Sequence, residues 1–171
     1  MRSSHLRFER LDRIHEQPLL EMAEEFRDEG DGRFSALLAS PQSFFDWVDR
    51  FENDRDLPSD RVPQTQYLLF DGRRLVGGSR LRRRLIPVLL LDGGNIGFEV
   101  RRSARRRGYG TEILHRTLEE ARVIGLRRAL LTAAESNAGS LRVIGAAGGI
   151  PDGESISPRT GDRMRRFWID L

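Results

Sequence analysis

The sequence contains no cysteine and no lysine. Without cysteine there is no disulfide framework, no thiolate zinc site and no cysteine nucleophile. Without lysine, Schiff-base chemistry and the lysine of a Walker-type phosphate loop are both excluded, and all 29 basic residues are arginine. Long hydrophobic runs are missing too. The longest, residues 85–91, already contains Pro87 and falls far short of the roughly 20 residues that span a bilayer. The basic residues 1–12 lead into no apolar segment, so no secretory signal and a cytoplasmic location are expected. His5, His15 and His115 stand at unrelated positions without ligand spacing, so no metal is expected.

What is present is ordinary for a soluble domain: 171 residues, 38% hydrophobic and 32% charged. We read residues 1–171 as one domain. The formal net charge of +3 hides an asymmetry, because residues 1–60 carry 15 acids against 8 arginines and residues 61–171 carry 11 against 21. That split points to an anionic ligand on the second part and a cationic one near the first.

The hydrophobic period divides the chain. Leu6 and Phe8 alternate as a short strand, and residues 14–29 place Leu19, Leu20, Ala23 and Phe26 at helical spacing. Ser40-Pro41 caps a second helix with Phe44, Phe45, Trp47, Val48 and Phe51 on one face; these aromatics read as core, and Asp46 and Asp49 on the same helix are candidate acceptor contacts. Residues 53–66 read as a loop. A hairpin with an Asp71-Gly72 turn follows, then a fourth strand at residues 95–100. Residues 108–124 form an amphipathic helix closed by Gly125, residues 128–132 a buried strand, residues 137–147 a short helix, and segments 150–156 and 164–169 two closing strands. Helices interrupting a largely antiparallel sheet make the class α+β, or mixed α/β.

The chemistry lies between the fourth strand and the long helix, in Val100-Arg101-Arg102-Ser103-Ala104-Arg105-Arg106-Arg107-Gly108-Tyr109-Gly110-Thr111. An Arg- and Gly-rich loop opening a helix presents backbone N–H groups at the positive end of the helix dipole, which suits an anion. It is not the dinucleotide fingerprint, since Ile113 stands where G-x-G-x-x-G needs glycine.

Residues 105–110 do match R-x-x-G-x-G, and the surrounding strand, helix, strand, Asn137 and second helix follow in a familiar order. The stretches GGNIGFEVRRSARRRGYGTEILHRTLEEA and LLTAAESNAGSLRVIGAAGG resemble the GCN5-related N-acetyltransferase (GNAT) family, and a bacterial subgroup of it. The resemblance implies a twisted, mostly antiparallel sheet of about six to seven strands flanked by about four helices. It also implies acetyl-CoA as co-substrate and an amine-bearing small molecule, peptide or protein as acceptor, with a homodimer left open. Residues 66–150 would form the acetyl-CoA core, helices within 14–52 would contribute to the acceptor site, and residues 150–171 would close the sheet. Arg105, Arg106, Arg107, Gly108, Tyr109, Gly110 and Thr111 would hold the pyrophosphate, Phe98 and Val100 would pair with the pantetheine arm, and Asn137 would contact that arm while capping the next helix.

The reaction so implied is direct attack of a neutral amine on the thioester. It needs a base, an oxyanion donor and a leaving thiolate. Glu99 is the candidate base, acting through water, and the Val100 N–H the candidate oxyanion donor. Many members place a tyrosine seven residues after the asparagine as acid for the thiolate; here Ile144 stands there, leaving water or Ser140. Two other readings compete. One is an acyl-CoA-binding protein without turnover; the other is a nucleic-acid module built on the arginines at 80–84 and 101–107, which lack interleaved aromatics.

Overall fold

The computed structural model describes residues 5–171. Seven strands form two sheets: β1 (Leu6–Arg10), β2 (Gln64–Asp71), β3 (Arg74–Arg82) and β4 (Ile96–Val100) in the order β1-β2-β3-β4, and β5 (Arg128–Ala134), β6 (Ile150–Ile156) and β7 (Arg163–Asp170) in the order β5-β7-β6. Every ladder pair is antiparallel. Six helices accompany them: α1 (Glu16–Asp28), α2 (Ser35–Ala39), α3 (Pro41–Glu52), α4 (Pro87–Leu91), α5 (Tyr109–Val123) and α6 (Ala138–Ala146). None is long and apolar enough to cross a membrane.

The strand count and antiparallel pairing agree with the sequence reading, but the expected single sheet is divided in two. β4 and β5 meet only at their beginnings, where Asn95 N donates to Leu130 O (2.7 Å) and Leu130 N donates to Asn95 Oδ1 (2.9 Å). Gly94 permits this approach. It has φ +57°, and a Cβ there would lie 2.2 Å from Leu130 O. Past this seam the two strands share no ladder, which leaves an open edge on β4.

Among the described residues three apolar clusters hold the layers, the smallest of them Leu69, Val76, Ala104 and Ile113. One lies under α5 and α6, where Leu114, Leu118, Ala121 and Ile144 meet Leu131, Phe167 and Ile169. Another lies on the opposite face, where Leu19, Met22, Phe26, Leu37 and Phe45 of α1–α3 cover Leu68, Phe70 and Leu75. The amphipathic spacing of α5 buries Ile113, Leu114, Thr117, Leu118 and Ala121 along one side. Gly125, at φ +88°, ends the helix in the left-handed conformation.

The structure moves several boundaries. β2 begins at Gln64, inside the segment read as loop, because Gln64 and Gln66 pair with Arg82 and Arg80 on a polar face that carries no hydrophobic alternation. α2 and α4 were not anticipated; each has five residues, too few for a period to register. In the hairpin Asp71 faces Arg74, so the central turn residues are Gly72 and Arg73 rather than Asp71 and Gly72.

Candidate active site

The cleft begins at the open edge of β4. Arg101 N donates to Val76 O (3.0 Å), and the alternation of an antiparallel ladder then turns the N–H and C=O of Phe98 and Val100 away from β3, toward the gap beside β5. Val100 O is taken by Arg105 Nε (3.0 Å). The Val100 N–H remains directed into the gap. Glu99 faces the other way, toward α1, and is 9% exposed.

Across the gap stands the N-terminus of α5. Gly108, at φ +86°, serves as N-cap without a side-chain bond, so the first N–H groups of the helix lack intrahelical partners. Arg106 also has positive φ, +65°, a strained state for a non-glycine residue that is often found in ligand-holding loops. Asn137 caps α6, its Oδ1 accepting from Ser140 N (3.0 Å). Together these elements enclose a cleft of about 980 Å³, at the upper end of the range for ligand pockets.

Of the residues singled out in the sequence, Phe98, Glu99, Val100, Arg105, Arg106, Gly108, Tyr109, Gly110, Thr111, Asn137 and Ser140 all line this cleft. Arg107 is not among its lining residues. Arg105 lines it but has its charge engaged elsewhere: Nη1 and Nη2 grip Glu29, the C-cap of α1, at 2.7 and 2.8 Å. One turn earlier Glu25 accepts from Arg101 Nε (2.6 Å) and Ser103 N (2.5 Å). The arginine expected to add charge to the phosphate loop instead fastens that loop to α1.

The acidic first part of the chain reaches the cleft through Glu29 and Asp31, but each already holds an arginine. Asp31 accepts from Arg33 Nη2 (2.7 Å), and that hydrogen bond, against the opposing effect of burial, keeps its carboxyl below the usual range. Asp46 and Asp49 of α3, the candidate acceptor contacts, are not residues of this cleft: they pair with Arg13 and Arg55. The α3 aromatics divide, with Phe45 buried and Trp47 40% exposed under Arg50.

Glu99, the candidate base, is held between two arginines. Its Oε2 accepts from Arg80 Nη2 (2.7 Å) and lies 3.8 Å from Arg33 Nη1. Ile144 is 1% exposed in the core, so no acid group stands there. Neither tyrosine substitutes for it. Tyr67 donates to Glu120 (3.1 Å), and burial with that carboxylate pushes it up to about 12; Tyr109 donates to Asp71, which raises it as well. Arg142 of α6, not anticipated from the sequence, also lines the cleft, and no signal distinguishes it among 29 arginines. Among the described residues no group of three or more His, Cys, Asp or Glu side chains is arranged to hold a metal.

The model of the acetyltransferase (GNAT) family matches residues 19–148. A comparison with curated protein sequences finds no match. Among solved structures, the ribosomal-protein-S5-alanine acetyltransferase of Vibrio fischeri superposes with TM-score 0.74 at 10% identity, covering 99% of this chain and 95% of its own. The yncA protein of Salmonella typhimurium, solved with its cofactor acetyl-CoA, gives 0.70 at 12% identity over 98% and 95%. A spermidine N-acetyltransferase chimera of Vibrio cholerae SpeG gives 0.65 at 14% identity over 98% and 96%.

Proposed function

The chain belongs to the acetyltransferase (GNAT) family and is an acetyl-CoA-dependent N-acetyltransferase; on that footing we propose that the cleft between β4 and α5 binds acetyl-CoA and that Glu99 serves the acceptor amine. The observation that carries the reading is the open backbone edge at Phe98 and Val100 facing the uncapped N–H groups of α5. The edge offers an amide chain its missing ladder partner, and the helix start offers a diphosphate a dipole and N–H donors. Arg106 and Arg142, both lining the cleft, add charge for the phosphates. Asn137 borders the arm.

Acetyl-CoA supplies an activated acyl carbon whose thiolate leaves once nitrogen has bonded to it. This chain's own groups govern the protons and the charge. Glu99 takes the amine proton through water, and the guanidinium of Arg80 keeps its carboxylate pointed at the cleft. The Val100 N–H meets the oxyanion, a donor fixed by the strand before the reaction begins. A free thiol has a pKa near ~8.5, so the thiolate departs and takes its proton from water or from Ser140, one of the hydroxyl residues lining the cleft. The acceptor is a primary amine, and we favour that of a peptide or protein. Relatives of the fold include acetyltransferases named for protein alanines and for spermidine.

Calorimetric titration of acetyl-CoA, followed by thiol release over a panel of peptides and small amines, tests this. Saturable binding with amine-dependent release is expected. Absence of acetyl-CoA binding in the folded protein overturns it.

A further inference from the structure

The sequence run Arg80-Leu81-Arg82-Arg83-Arg84 looked like a surface for nucleic acid, and the structure distributes it differently. Arg80 pairs with Glu99 (2.7 Å), Arg83 with Glu52 (3.1 Å) and Arg84 with Asp54 (3.3 Å). Arg82 is the exception. It is half-buried, and among the described residues no carboxylate lies within ion-pair distance of it; its Nη1 donates to the carbonyls of Gly93 (3.0 Å) and Gly94 (3.2 Å). A half-buried cation is ordinarily paired.

Its neighbours make the shortage of anions worse. Arg80 and Arg82 share one face of β3, the polar face that also carries Gln64, Gln66, Gly97 and Glu99. Burial, with repulsion from Arg80 and Arg159, outweighs the more distant attraction of Asp92 and Glu99 and brings Arg82 down to about 10. Arg80 Nε is buried and has no hydrogen-bond partner. On the adjoining sheet Arg166 stands opposite Thr132, whose Oγ1 accepts from Gly93 N (2.8 Å); Arg166 Nη2 pairs with Asp152 (2.7 Å), while its Nε is likewise buried and unpartnered.

We propose that Arg82, with Arg80 beside it, is a subsite for an anionic group of the acceptor, and that the acceptor is a peptide with an acidic residue near its free amino end. This rests on the acetyltransferase reading of Glu99. Arg82 is joined to Asn95 across the ladder (2.7 Å), and four residues along β4 separate Asn95 from Glu99, roughly 13 Å at 3.3 Å per residue. An extended peptide with its amine at Glu99 covers that span in about four residues. The acidic side chain therefore falls at its third or fourth position.

The test compares two hexapeptides with free amino ends, one carrying Asp-Asp and the other Asn-Asn at positions three and four. Thiol release gives the ratio of their kcat/KM values, and calorimetry gives the ratio of affinities for their N-acetylated forms. The wild type should prefer the Asp peptide by about tenfold in both, the worth of one charge-assisted hydrogen bond. Arg82→Gln, which keeps amide donors for the Gly93 and Gly94 carbonyls, should bring both ratios close to one, and Arg82→Lys should retain part of the preference. Equal ratios in the wild type, or a preference unchanged in folded Arg82→Gln, overturn the subsite. If neither peptide is acetylated but the acetylated Asp form still binds in an Arg82-dependent way, the subsite stands and the catalytic reading fails.

Discussion

The two walls of the cleft are made of different materials. The α5 wall works through main-chain groups: a left-handed glycine at Gly108 and a run of N–H donors at a helix start. The α1 wall works through charged side chains already paired among themselves, Glu29 with Arg105 and Asp31 with Arg33. A wall built from backbone needs particular residues at fixed spacing and leaves a motif. A wall built from ion pairs draws on residues far apart in the chain, Glu29 and Arg105 being 76 positions apart, and leaves none.

Several substitutions would break or sharpen this contrast. The largest effect is expected from Glu99→Gln, which should lower kcat by roughly 10²–10³ while leaving the calorimetric affinity for acetyl-CoA intact; a matching loss of affinity would assign Glu99 to the cofactor. Gly108→Val forces a β-branched residue to φ +86° and should weaken acetyl-CoA about 100-fold, equivalent to ~2.7 kcal/mol. A near-normal Kd there would show that the loop does not depend on glycine.

The paired wall should respond to acid instead. Burial opposes ionisation of Glu25, but its hydrogen bonds from Ser103 and Arg101 prevail and hold it at about 2. A carboxyl lowered by folding stabilises the native state above its unfolded pKa of 4.5 and loses that contribution as pH falls toward 2. With the pair partly screened by solvent, the stabilisation is on the order of 1–2 kcal/mol. Urea unfolding at pH 7 and pH 3 should show this loss in the wild type and much less of it in Glu25→Gln; parallel pH profiles for the two proteins would refute the assignment. Ile144→Tyr, which places at that position the acid group the resemblance leads us to expect, should cost about 1–3 kcal/mol by overpacking the site and bring no gain in kcat. The smallest effect belongs to Asn137→Ala, about 1 kcal/mol of lost capping read from thermal unfolding.

The same contrast explains how far the sequence could be read. β4, α5, Gly108, Gly110 and Asn137 were legible because each is tied to a local rule of period, turn or cap. The polar start of β2 at Gln64 and Gln66 was not, since a strand face that lines a groove lacks apolar alternation. Arg105 was legible as a motif position, but its pairing with Glu29 was not, because that partner lies at the end of a helix 76 positions away. Arg82 and Arg142 were hidden by their abundance: an arginine among 29 is distinguished only by the partner it has or lacks.

The Asn95 seam has a mechanical corollary. Backbone bonds fasten the two sheets at one end only, so no ladder sets how far β4 and β5 stand apart further on. That spacing then rests on packing, where Ile96 and Phe98 of β4 share one apolar cluster with Leu131, Leu114 and Ile144. Their volumes act as a shim. Trimming one of them, well away from any reacting atom, would change the gauge of the slot and with it the acyl chain it admits.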